Sequence, residues 1–370
     1  MVERVQAGQF TALLCAATPW IDVRAELEFA RGHLPGSLNL PILNTAEREQ
    51  VGTCYARRGQ EAAVALGHAL VGGATRERRI EAWCEAARAR AGSHLFCWRG
   101  GMRSQLAAAW MADAGVRIPV IEGGYKALRA RLLLELEGPQ PREPWVVIGG
   151  RTGSAKTALL QALPGGIDLE AHARHRGSSF GRRAGVPPSQ ADFENALAMD
   201  LLRRRHAAPG GVLFLEDESR QIGAITIPQD LYRAMREAPR VVLEVPLEER
   251  IERILQDYIC CDLDEHLALD ASQGFGNFAR QLEQSLLRIR RRLGDERHRE
   301  AQRLLQLALT AQRERGETGG HRAWIALLLR EYYDPMYDYQ LGQSAPQVVF
   351  RGDTEAVRAW CLNRAAGAPG

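Results

Sequence analysis

The chain has 370 residues, 45% of them hydrophobic and 25% charged, enough for two or three domains with cores of their own and too apolar for a disordered tail. No run approaches the roughly 18 apolar residues that spanning a bilayer demands, and "MVERVQAGQF" offers no signal-peptide stretch, so a cytoplasmic protein without membrane contact is expected. Net charge is only +3, and seven scattered cysteines without a C-x-x-C pair argue against a disulfide framework or a zinc knuckle; His172 and His175, at spacing three, have no evident third ligand, so no metal site is expected from His and Cys. Arginine is used almost to the exclusion of lysine, and only Lys126 and Lys156 remain.

In chain order, "WIDVR" predicts a strand end, "ELEFARGHLPGSLNL" a short helix and turn, "GQEAAVALGHALVGG" a helix closed by glycines, and "SHLFCW" a buried strand. "SQLAAAWMADAG" predicts a strong helix, and "RIPVIEGG" a short strand running into a glycine turn. This alternation over residues 1–135 predicts an α/β domain with a parallel sheet, a fold that places ligands at the carboxyl ends of its strands.

"FCWRGGMRS" lies between the buried strand and the strong helix. A cysteine there gathers backbone N–H groups around its sulfur, and Arg99 and Arg103 add positive charge. Together these favour a thiolate and make Cys97 the best nucleophile candidate. Gly100 and Gly101 let the backbone curl with its amides inward, and Arg103 can offer a bidentate fork to a tetrahedral oxyanion. The same residues fit phosphate hydrolysis and chalcogen transfer, and the loop alone does not choose between them. The other cysteines are expected to be structural, the usual fate of a free thiol.

Residues 136–144, "LEGPQPREP", hold three prolines without apolar periodicity and read as a linker to a second domain over 145–370. There "WVVIGG", "RTGSAKT" and "ALLQAL" follow as strand, glycine loop and helix, the order of a phosphate-binding P-loop. Gly150 and Gly153 would shape the loop, Lys156 would neutralise a diphosphate, and Thr157 could hold Mg²⁺. Ala155 stands where such loops have their second glycine, a source of strain if positive φ is required. "GVLFLEDES" predicts a strand ending in Glu216, Asp217 and Glu218, acids suited to a metal or its waters, with plain surface acids an even alternative. "RVVLEVPLEERIERILQDY" predicts a further strand and amphipathic helix, residues 276–332 read as helical, and "PQVVFRG" as a last strand.

Basic residues cluster locally. Arg174, His175, Arg176, Ser178, Ser179, Arg182 and Arg183, together with "RIRRRLGDERHR", would grip phosphate or RNA backbone, although solvated helix faces are the plainer reading of any one run. Tyr332, Tyr333, Tyr337 and Tyr339 would either stack a splayed base or pack together, with packing favoured.

"DVRAELEFARGHLPGSLN", with Asp22, Arg24, Glu28, Phe29, Gly32, His33, Pro35 and Gly36, resembles the N-terminal signature of rhodanese domains, whose loop cysteine carries a chalcogen. Five residues separate Cys97 from Arg103, the C-x5-R spacing of cysteine phosphatases; common sulfurtransferase loops are a residue shorter. "CWRGGMRS", "GGRTGSAKT", "DLEAHARHRGSSFGR", "LEDESRQIGAITIP" and "EYYDPMYDYQ" resemble, in the same order, the blocks of the bacterial tRNA 2-selenouridine synthase family. That resemblance implies a rhodanese-like domain fused to a P-loop NTPase-like α/β domain with a helical extension. It implies an enzyme that converts the wobble 2-thiouridine of tRNAs for Lys, Glu and Gln to 2-selenouridine through an S-geranyl intermediate. Geranyl diphosphate and selenophosphate would be co-substrates, tRNA the partner, and no covalently bound cofactor is expected. The family's selenium-carrying cysteine falls on Cys97, as an S-selanylcysteine, and its P-loop residues on Gly150, Gly153, Lys156 and Thr157. The alternatives are a cysteine phosphatase fused to a kinase-like domain, and a non-catalytic docking protein.

Overall fold

The computed structural model describes residues 2–138, 143–343 and 347–367, so residues 139–142 of the expected linker lie outside the described residues. Five short strands, β1 (Arg4–Val5), β2 (Trp20–Asp22), β3 (Ser37–Asn39), β4 (His94–Phe96) and β5 (Val120–Ile121), form one sheet in the order β1-β5-β4-β2-β3. Every pairing is parallel, as expected, because the chain returns between neighbours through helices such as Gly73–Ala89 and Met102–Asp113. Trp20, Ile21, Leu95 and Phe96 are buried, the continuous apolar pattern of strands covered on both faces. β1 and β3 are too short to carry a legible period, and β3 falls inside what reads as a turn. The glycine-closed helix is the second arm of a longer one, Thr45–Leu70, which breaks at Gly59, where φ is +82°.

The chain divides into two compact units, Met1–Glu137 with Ser189–Ala207, and Gly138–Pro188 with Ala208–Gly370. The helix Gln190–Ala207, expected in the second domain, therefore belongs to the first unit. Its Phe193, Leu197 and Leu201 are fully buried, each contributing roughly 1.5–3 kcal/mol of apolar burial. Its buried Asn195 is fully engaged, accepting from Arg129 at 2.7 Å and donating to the His33 carbonyl at 2.7 Å. A reciprocal cap starts the helix: the Asp192 carboxylate accepts from Ser189 N–H, and the Ser189 hydroxyl accepts from Asp192 N–H.

In the second unit β6 (Trp145–Gly150), β7 (Gly166–Ile167), β8 (Leu213–Glu216), β11 (Arg240–Leu243) and β12 (Val348–Gly352) form a parallel sheet ordered β12-β11-β6-β8-β7, and β9 (Gln221–Ile222) and β10 (Ile225–Thr226) form a separate hairpin. The chain moves from β6 outward to β7, returns to β8, then crosses to β11 on the other side of β6. The strand order thus reverses at β6, and a crevice opens at its carboxyl end. The predicted last strand is β12, and the predicted helical extension is present as Gly274–Leu293, Asp295–Arg315 and His321–Leu328, packed through Phe278, Leu286, Leu305 and Trp324. Among the described residues, no helix is long and apolar enough to cross a membrane.

Candidate functional site

Each unit holds one candidate site. β4 ends at Phe96 and delivers Cys97 to the carboxyl edge of its sheet, in the turn before the helix Met102–Asp113. The sulfur is buried and lies 3.2 Å from the Ser104 hydroxyl in the first turn of that helix. Tyr125 N–H donates to the Cys97 carbonyl at 2.9 Å and Lys126 N–H to the Trp98 carbonyl at 3.0 Å, which pins the loop from beneath. So close an approach needs glycine at 124, since a Cβ there would sit 2.2 Å from the Cys97 oxygen. Gly100, at φ +63°, is needed for a similar reason, whereas Gly101, at φ −89°, has a backbone that other residues adopt.

Arg103 differs from expectation. Its fork is already closed on the Glu28 carboxylate, at 2.6 and 3.2 Å, instead of open toward an incoming oxyanion. Burial raises the Glu28 pKa, but the Arg103 guanidinium outweighs it and holds the carboxyl below its ordinary value. Arg99 is exposed. Glu28 stands in the rhodanese-like signature, but its partner is 75 residues away, so the pairing has no local signal.

In the second unit β6 runs directly into the anion loop, and the helix Lys156–Gln161 begins just beyond it. Lys156 Nζ donates to the Gly150 carbonyl at 2.9 Å, which lays the ammonium across the loop. Gly153, at φ +82°, passes so close to Arg250 that a Cβ would come within 2.9 Å of its carbonyl. The buried Arg250 side chain holds the loop from behind, donating to the Thr152 carbonyl at 2.8 Å and to both Asp334 oxygens. Ala155 sits at φ +66° and ψ +32°, so the positive φ suspected from the sequence is present and the methyl group is strained.

The three acids after β8 separate by strand alternation. Glu216 is fully buried and accepts from the Thr157 hydroxyl at 2.8 Å and from Glu170 N–H at 3.0 Å. Asp217 turns the other way, onto the buried Arg240 at 3.0 Å, and Glu218 returns to hydrogen-bond with Glu170. Burial, with mutual repulsion added, pushes Glu170 and Glu216 up to about 8 and Glu218 up to about 7, so the trio carries protons near neutrality beside Thr157. The two-residue period of a strand could have singled out Glu216 and Glu218. Nothing local marks Glu170, which arrives on the short helix Leu169–Ala173.

A cavity of about 1600 Å³ opens over the anion loop, with Glu170, Glu218, His175, Tyr258 and Tyr333 in its wall. Tyr258 and Tyr333 come from two wide helical turns, Gln256–Cys260 and Leu329–Tyr333, a distortion frequent at functional sites. Tyr332 and Tyr333 are buried and meet edge to face at 4.9 Å, a packed pair, while Tyr339 is exposed.

The basic loop is only partly available to a polyanion. Arg176 is held by Asp262 at 2.6 Å and Arg183 by Glu265, while His175 pairs with Arg182 as a β-bridge. Burial, then the nearby arginines, lower the His175 pKa and favour its neutral form. Ser178 and Ser179 face the cavity, and Arg174 and Arg182 are exposed. In the second cluster Arg290 is paired with Asp295 at 2.7 Å and Arg297 with Glu331 at 2.9 Å, and these two, with Arg291, Arg292 and Arg299, all reach solvent.

Residues 143–368 match the family described as tRNA 2-selenouridine synthase AAA domain, and residues 6–131 match the rhodanese-like domain. The chain belongs to the tRNA 2-selenouridine synthase family. A relative of that name from Cupriavidus pinatubonensis is 48% identical, over 98% of this chain and 100% of its own. Relatives of the same name from Azotobacter vinelandii and Bordetella petrii are each 47% identical, over 99% and 96% of this chain and 99% and 95% of theirs. These near full-length matches weigh against the alternative of a cysteine phosphatase fused to a kinase-like domain.

Proposed function

We infer that this chain is a tRNA-modifying enzyme that replaces the sulfur of a 2-thiouridine with selenium. The carrying observation is that a strand-end cysteine in a rhodanese-like unit and a lysine-bearing anion loop occur in one chain, alongside near full-length identity to enzymes named for this reaction. Modification falls on the wobble uridine of tRNAs for Lys, Glu and Gln, with geranyl diphosphate and selenophosphate as co-substrates.

In the first step the sulfur of the base attacks the carbon bearing the diphosphate: a C–S bond forms, the C–O bond breaks, diphosphate leaves, and the base gives up its N3 proton. The loop amides and Lys156 neutralise the departing diphosphate, and Thr157 with Glu216, once Glu216 gives up the proton that burial favours on it, would hold Mg²⁺ against it. Alkylation turns a thiocarbonyl sulfur into one that leaves carbon readily. In the second step the selenium of selenophosphate, held beside Cys97 with its phosphate portion on Arg99 and the loop amides, attacks C2 of the base: a C–Se bond forms, the C–S bond breaks and the alkylthiolate leaves, and water then cleaves the Se–P bond to release phosphate. The exposed arginines around 288–299 hold the RNA backbone.

The test supplies purified protein with 2-thiouridine tRNA, geranyl diphosphate and selenophosphate, and weighs the nucleosides by mass spectrometry. A geranylated and then a selenated nucleoside are expected. An unaltered 2-thiouridine with every reactant saturating would overturn the reading.

A further inference from the structure

A second large cavity, of about 870 Å³, lies in the first unit. The two arms of Thr45–Leu70, angled at Gly59, form part of its wall, and Met102, Leu106 and Trp110 of the helix that follows Cys97 form another part. The space exists because the arms present small residues: Gly52, Ala56, Ala63 and Gly67 all line it, and a Cβ added at Gly67 would touch only Val51, at 3.9 Å. Met102 and Tyr55 of its lining are exposed, so it is a groove open to solvent, and clefts of roughly 300–1,000 Å³ with largely apolar walls are those of ligands.

Two further features fix what it takes. Ile42, Leu43, Val71 and Trp110 of its wall belong to the same buried cluster as Cys97, so the cavity and the sulfur share one core. Its polar end carries Arg103 and Arg48, which share a single carboxylate, Glu28, at 2.6 and 3.9 Å. Glu49 also lines the cavity, so the formal charge there balances, but two guanidinium groups gathered on one carboxylate still offer donors to an aliphatic chain attached to a group that becomes anionic.

We propose that this cavity receives the aliphatic chain of the alkylated base and holds the alkylthio group at the Cys97 loop until it departs as a thiolate. The inference rests on the alkylated intermediate put forward under Proposed function. Burying the chain gains roughly fourfold in affinity per CH₂, and the arginine pair faces the charge that develops on the leaving sulfur.

The test presents the full-length protein and selenophosphate with tRNA carrying either S-geranyl- or S-methyl-2-thiouridine. Wild type is expected to prefer the geranyl substrate at least tenfold in kcat/KM. Val64→Trp and Leu106→Trp, which fill the chamber from opposite walls, should bring that preference close to one; because it is a ratio within one preparation, partial misfolding does not mimic it. A preference unchanged in both variants overturns the proposal. Should wild type selenate neither substrate, the functional reading fails instead, and calorimetric titration with the S-geranyl nucleoside still decides the cavity. Heat of binding in wild type that is lost in both variants supports it, and no binding to wild type refutes it.

Discussion

Ala155→Gly should make the P-loop unit more stable, although glycine within a helix ordinarily costs stability. Ala155 is held at φ +66°, a left-handed backbone that penalises alanine by about 1–2 kcal/mol and glycine not at all. Removing the methyl group also loosens the unfolded chain, which takes back about 0.4–1 kcal/mol. The net gain is about 0–1.6 kcal/mol, centred near 0.8, and for a unit of roughly 150–250 residues that central value raises Tm by about 2–3 °C. Calorimetric scans of the full chain should show one of two transitions moving up and the other unmoved. Because the loop adopts the same backbone with or without the methyl group, affinity for pyrophosphate should change less than about twofold. A fall in Tm would refute the argument, since it would mean that residue 155 leaves the left-handed region at no cost.

Cys97→Ala should stop at the geranylated nucleoside while Lys156→Ala loses geranylation itself, read by nucleoside mass spectrometry; full selenation by the cysteine variant would remove Cys97 from the mechanism. Glu28→Gln should cost about 1.5–3 kcal/mol in urea denaturation, because the half-buried Arg103 fork loses its charged partner, and a loss below about 0.5 kcal/mol would show that the pair is dispensable. The carboxyl trio sets a pH dependence. With folded values of about 8, 8 and 7 against an ordinary 4.5, Glu170, Glu216 and Glu218 hold protons more tightly in the folded than in the unfolded chain. Stability of the P-loop unit is therefore greatest below about pH 4.5 as far as these groups decide it, and it falls as pH rises toward 8. Its Tm should drop between about pH 5 and 8 and level off above that, less steeply in Glu218→Gln; a Tm that climbs over that range would contradict the burial of charge described for the trio.

What the sequence made legible was local. The P-loop was readable because strand, glycine loop and lysine lie within a dozen residues, and Cys97 because its loop sits between an apolar strand and an alanine-rich helix. What escaped depends on distant partners. Arg103 reads as an open fork until Glu28 is folded against it, and "RHRGSSFGRR" reads as an RNA grip until Asp262 and Glu265 are found holding Arg176 and Arg183. Glu170 looks like an ordinary first-turn acid, and only the return of β8 reveals that it shares its site with Glu216. Residues 190–207 fall inside the bounds 145–370 by their place in the chain, although the apolar face and Asn195 of the helix they form fit the first unit.

That borrowed helix carries a temporal consequence. A ribosome releases residues 1–137 first, yet their core stays open along the surface that Phe193, Leu197 and Leu201 later cover. The rhodanese-like unit consequently cannot finish maturing until the anion loop has already been synthesised. A truncated product ending before Ser189 would display raw apolar surface, inviting degradation before an unpartnered thiol could roam the cell.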